Sequence, residues 1–96
     1  MTRSAEEIRK VLRDGRRMVH EAVEKLLREE LSLEGEIKGE SQLDDLYMDS
    51  LDVANLAIAL EYRFEIVLYY DVLDRGGSNI TIDQIVDLVV KKMLAT

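Results

Sequence analysis

A chain of 96 residues with a formal net charge of −7 and no cysteine is long enough for one small domain, whose core must draw in nearly every apolar helix face. The absence of cysteine excludes a disulfide framework and a thiolate metal site, and it fits a reducing compartment. No apolar stretch approaches bilayer length, the charged N-terminus lacks the apolar core of a signal peptide, and an acidic body repels nucleic acid, so a soluble cytoplasmic monomer without membrane insertion or a nucleic-acid partner is expected.

The charge is unevenly spread. Residues 1–17 carry six basic side chains (Arg3, Arg9, Lys10, Arg13, Arg16, Arg17) against three acidic ones (Glu6, Glu7, Asp14), a net +3 that leaves −10 beyond. We read 1–17 as a basic, helical N-terminal extension and 18–96 as the main domain. A solvated arm is the commoner reading of such a segment, and contact with a dedicated partner the rarer one.

Ser4-Ala5-Glu6-Glu7 has the form of a capping box, and Ile8, Leu12, Val19, Ala22, Val23, Leu26 and Leu27 follow at helical spacing. A helix is predicted from Ser4 to Glu30, with a break at Gly15 allowed because glycine weakens helix interiors. From Leu31 to Asp49 the periodicity lapses into a long loop, which its apolar residues Leu33, Ile37, Leu43 and Leu46 should pin to the core.

The next helix should begin near Ser50, capped by Asp49 or Ser50 with Asp52 in its first turn, and run to about Phe64. Ile66 to Tyr70 has strand propensity, yet a lone apolar run cannot support a sheet, so it reads as a connector to a short helical turn, Tyr70 to Asp74, ended by Gly76-Gly77. Thr81-x-x-Gln84 is a second capping box, opening a last helix with Ile82, Ile85, Val86, Leu88, Val89 and Met93 on its apolar side. The expected fold is all-α, a small bundle of three main helices plus one short helix.

Two apolar stripes mark the helix after Ser50. Val53, Leu56, Ala57, Leu60 and Phe64 should face the core. Leu51, Ala54, Ile58 and Tyr62 form a second face, which is either a docking surface for a protein partner or a face buried by the extension or the long loop; periodicity leaves both open.

Ser50 itself is poorly equipped as a nucleophile. The chain's one histidine, His20, lies on another predicted helix, where a surface or boundary position suits it better than a ligand's role, and nothing near Ser50 resembles an oxyanion loop. Asp44-Asp45 sits in a loop of a domain too small to close a cleft around it. A serine displayed for modification fits better, since a phosphoryl group at a helix N-terminus meets free N–H groups and the positive end of the dipole. Taken alone, Asp-Ser-Leu is more often an ordinary cap.

Residues from about Val19 to Leu94 resemble acyl carrier proteins of the discrete bacterial type. The matching positions are Leu43, Asp45, Leu46, Asp49-Ser50-Leu51-Asp52, Ala59-Leu60-Glu61-Tyr62-Arg63-Phe64, Ile80-Thr81 and Ile85. This resemblance implies an acyl-carrier-like bundle over 18–96 and a chain that is not an enzyme but a substrate and partner of enzymes. Ser50 would accept phosphopantetheine from coenzyme A through a phosphopantetheinyl transferase, with Asp49, Leu51 and Asp52 beside the attachment point. Leu51, Ala54, Ile58 and Tyr62 would meet acyl-transferring, ketosynthase or related enzymes of fatty-acid, polyketide or special lipid synthesis. Small side chains at Ala57 and Ala59 suggest an interior that shelters the acyl chain. The family usually has glycine where this chain has Tyr47, an aromatic residue where it has Gln42, and no basic extension; these departures favour a specialised carrier. The alternative reading is an unmodified helical interaction module that uses the same second stripe.

Overall fold

The computed structural model describes residues 4–30, 32 and 35–95; Arg3 and Leu33, named above, lie outside them. Among the described residues four helices form the bundle: α1 (Ala5–Glu30), α2 (Ser50–Phe64), the short α3 (Tyr69–Asp74) and α4 (Ile82–Ala95). Single 3₁₀ turns stand before α2 (Leu43–Leu46) and before α4 (Gly77–Asn79). No strand forms among the described residues, where β-type pairing is limited to an isolated bridge between Gln42 and Thr81.

The first helix starts where its cap predicts, with the Ser4 hydroxyl accepting the Glu7 N–H at 3.2 Å. It does not break at Gly15. Val11, Leu12 and Gly15 instead line a small apolar hollow with Val90, Met93 and Leu94 of α4, and Arg16 pairs with Asp87. Tertiary packing of this kind outweighs the roughly 1 kcal/mol that glycine costs in a helix interior. α1 and α4 therefore pack along each other well into the basic segment, with the N-terminal half of α1 beside the C-terminal end of α4. The molecule is correspondingly elongated, 46 × 27 × 20 Å.

Among the described residues the buried core is wholly apolar. Val19, Val23 and Leu27 from α1 meet Val53, Leu56 and Leu60 from α2 and Ile82, Ile85, Val86 and Val89 from α4, and each of these is buried. A fully buried aliphatic side chain of this size contributes about 1.5–3 kcal/mol relative to exposure, enough collectively to hold a domain this small. Connectors join in, since Ile37, Leu43, Met48, Leu68 and Ile80 are also buried, so the long loop is pinned as its apolar pattern requires.

Backbone hydrogen bonds pin that loop as firmly as its side chains do. The first N–H groups of a helix have no partner within it. In α4 the Ile82 N–H donates to the Ser41 carbonyl at 3.0 Å, the Asp83 N–H to the Gly39 carbonyl at 2.9 Å, and the Gln84 N–H to the Thr81 hydroxyl at 3.1 Å. The Leu43 N–H in turn donates to the Ile80 carbonyl at 3.0 Å. Residues 39–43 are thereby seated on the N-terminal end of α4, and the chain leaves that seat directly into the turn that precedes Ser50.

Candidate functional site

Ser50 is the first residue of α2, and its setting is built from both sides. Upstream, the 3₁₀ turn Leu43–Leu46 is tied by the Asp45 N–H to the Gln42 carbonyl at 3.0 Å, while the Asp45 carboxylate accepts the Gln42 N–H at 3.0 Å. Tyr47 closes the turn in the left-handed conformation, φ 61° and ψ 28°. Met48 then points inward, buried, with its N–H on the Leu43 carbonyl at 3.2 Å. Glycine takes the Tyr47 conformation freely, whereas an L side chain pays about 1–2 kcal/mol for it.

Downstream, Asp49 is the cap, with Ser50 inside the helix. The Asp49 carboxylate accepts the Asp52 N–H at 2.9 Å and the Asp52 carboxylate accepts the Asp49 N–H at 3.2 Å, a reciprocal box formed by two aspartates. Among the described residues no protein acceptor takes the N–H groups of Ser50 and Leu51. Those two donors and the positive end of the α2 dipole face solvent beside the exposed Ser50 side chain. No lysine or arginine occurs between Lys38 and Arg63, whereas Glu40, Asp44, Asp45, Asp49, Asp52 and Glu61 do, so the surroundings are acidic.

The second stripe of α2 is uncovered. Leu51, Ile58 and Tyr62 are 67%, 53% and 88% exposed, and their spacing of seven and eleven residues lines them along one face. Among the described residues, neither those of the extension nor those of the long loop cover that face. Ala54 is half-buried, and with Ile58 it lines an open groove of about 440 Å³ whose other walls are Glu61, Ile66, Val67, Tyr69 and Tyr70. Tyr62 lies outside the groove, further along the helix.

The α3 wall of this groove was not legible as part of a site. It is held by Glu61, whose Oε2 accepts the Leu68 N–H at 2.6 Å and the Tyr69 N–H at 3.0 Å. Glu65 takes a left-handed conformation, φ 54°, and turns the chain away from α2 so that Ile66 and Val67 return beside Ile58. The signal available in the sequence was the apolar run Ile66 to Tyr70, which serves as groove wall and not only as connector.

The interior next to Ala57 offers no comparable room. Leu43, Leu56, Leu60, Val72 and Ile85 close around Ala57 without a water-sized void, and Ala59 is half-buried at the surface of α2. The groove on the outer side of α2 is the roomier of these two places, and the interior shelter expected beside Ala57 has no open room in this structure.

His20 shares a hydrogen bond of 2.9 Å with Glu24 on its own helix, at the half-buried boundary position its sequence context predicted. Among the described residues no group of three or more histidine, aspartate or glutamate side chains is arranged to hold a metal ion. No helix of the described residues is long and apolar enough to cross a membrane. No family model matches the chain, and no solved structure matches it.

Proposed function

We propose that this domain is an acyl carrier that holds acyl intermediates as thioesters on a phosphopantetheine arm attached to Ser50. The observation that carries the reading is the combination at the start of α2: an exposed serine on a helix N-terminus with two unspent N–H donors, flanked by an uncovered apolar stripe and groove. The spread of matching positions between Leu43 and Ile85 supports it.

In the loading reaction the Ser50 oxygen attacks the β-phosphorus of the coenzyme A pyrophosphate. An O–P bond to Ser50 forms, the bond to 3′,5′-ADP breaks, and the serine proton passes to a base on the transferase. The chain supplies position and recognition. Asp49 and Asp52 hold the first turn of α2 through each other's N–H groups, and the acidic surroundings attract a basic enzyme surface. The arm supplies the thiol that a cysteine-free chain lacks. Leu51, Ala54, Ile58 and Tyr62 offer partner enzymes an apolar contact, and the groove lies within the same surface for part of the acyl chain.

The test is incubation with coenzyme A and a broad-specificity phosphopantetheinyl transferase, read by intact-protein mass spectrometry. The wild-type chain gains one phosphopantetheine and Ser50→Ala gains none. No addition by a transferase that loads a control carrier would overturn the reading, leaving the stripe as the surface of an unmodified interaction module.

A further inference from the structure

Tyr47 combines two properties that folding does not account for. Its backbone stands in the left-handed region that disfavours bulky side chains, and its ring is 95% exposed. The reversal itself is needed there, because the Tyr47 N–H closes on the Asp44 and Leu43 carbonyls and Met48 must then turn into the core. A glycine or an asparagine would serve that purpose without strain. Among the described residues the ring makes no hydrogen bond and no aromatic pairing, the ring–ring contact there joining Tyr69 to Tyr70 instead. A strained residue with no packing return, set three positions before the proposed attachment serine, points to a use outside the folded chain.

We infer that Tyr47 is a recognition residue for the phosphopantetheinyl transferase that loads Ser50. The inference rests on the carrier reading. Three peptide steps put the Tyr47 and Ser50 Cα atoms at most about 11 Å apart, so an enzyme surface closing on the hydroxyl reaches the ring as well. Leu51, on the helix side of Ser50, is 67% exposed, so the hydroxyl has an aromatic grip on its loop side and an aliphatic one on its helix side. Asp44, Asp45, Asp49 and Asp52 stand around both, with no basic residue between Lys38 and Arg63. The occupant is therefore a basic protein surface with an apolar cup at its centre, the setting in which a tyrosine ring at an interface carries a large share of affinity. Tyr47 touches the enzyme and not the reacting atoms, so its contribution lies in binding and not in the chemical step.

Three variants, Tyr47→Gly, Tyr47→Asn and Tyr47→Phe, test this through thermal unfolding and the steady-state kinetics of phosphopantetheine transfer from coenzyme A. The glycine and asparagine variants keep the backbone turn and lose the ring. They should melt at or above the wild-type temperature, while KM for the carrier rises about tenfold and kcat stays near wild type, the loss expected of one aromatic contact. The phenylalanine variant keeps the wild-type KM. A merely structural role moves the melting temperature and leaves KM alone, so unchanged KM in both ring-less variants overturns the inference while the carrier reading stands. Refusal of the wild-type chain by a transferase that loads a control carrier overturns the carrier reading, and the inference with it.

Discussion

The Glu61 carboxylate is bound to the start of the next helix: its Oε2 accepts the Leu68 N–H at 2.6 Å and the Tyr69 N–H at 3.0 Å. One side chain of α2 thus caps α3 and fixes the corner between them, which is also one wall of the open groove. Glu61→Ala removes the acceptor for both donors and should lower stability by about 1–3 kcal/mol, with amide exchange accelerating first at Leu68 and Tyr69. Glu61→Gln keeps an acceptor and loses the charge, so its cost should be the smaller. Equal costs for the two variants in urea unfolding would show that the charge alone matters.

Ile58 gives a cleaner test of the exposed face. It is 53% exposed, so Ile58→Asp should change unfolding free energy by no more than about 0.5 kcal/mol. On the carrier reading, transfer of an acyl group to or from a partner enzyme should fall markedly, because the same position lies in both the stripe and the groove. Loss of helicity by circular dichroism would instead place Ile58 among the residues that hold the fold.

Asp49 caps α2 through the Asp52 N–H, and Asp49→Ala should cost about 1 kcal/mol in chemical denaturation. Asp52→Ala removes the reciprocal bond to the Asp49 N–H, which is longer at 3.2 Å, and should cost less. A larger cost for Asp52 would reverse the assignment of which aspartate caps the helix.

The basic extension is not structurally uniform. Arg9, Lys10, Arg13 and Arg17 are exposed and have no ion-pair partner among the described residues, whereas Leu12, Gly15 and Arg16 face α4. Removal of residues 1–10 should leave the melting temperature nearly unchanged. Removal of residues 1–17 uncovers Val90 and Met93 and should cost about 1–3 kcal/mol, the value of burying one or two aliphatic side chains. The Arg16 to Asp87 pair is a minor part of this, since exposed pairs of this kind contribute about 0.2–1 kcal/mol. Differential scanning fluorimetry of the two truncations separates arm from bundle.

Much of this arrangement could be read from the amino acids. The start of α2 at Ser50 and its buried face follow from an aspartate cap and an apolar stripe at spacings of three and four, and Thr81 and Gln84 announce α4 with a capping box whose two hydrogen bonds both form. Both are side-chain devices, which is why residue identity reveals them. What stayed hidden is made by backbone. The stop of α2 rests on Glu65 in a left-handed conformation, where the residue type gives no cue, and Tyr47 conceals another such turn. The seating of the long loop depends on the carbonyls of Gly39, Ser41 and Ile80, groups that every residue carries alike. The outer groove was illegible for a related reason: it exists only once Glu61 has drawn α3 back against α2, eight residues further along the chain.

That seating has a consequence for the order of events when the protein is made. Residues 39–43 find their hydrogen-bonding partners at positions 80–83, and Met48 and the Asp49 cap hang from the turn that grows out of this junction. A nascent chain that has emerged only as far as Phe64 holds the serine and its whole helix, yet the platform beneath them is absent. On the carrier reading, an enzyme that selects the assembled surface around Ser50 would meet it only once residues 80–83 are free to fold, and copies cut short before Asp83 would go unmodified.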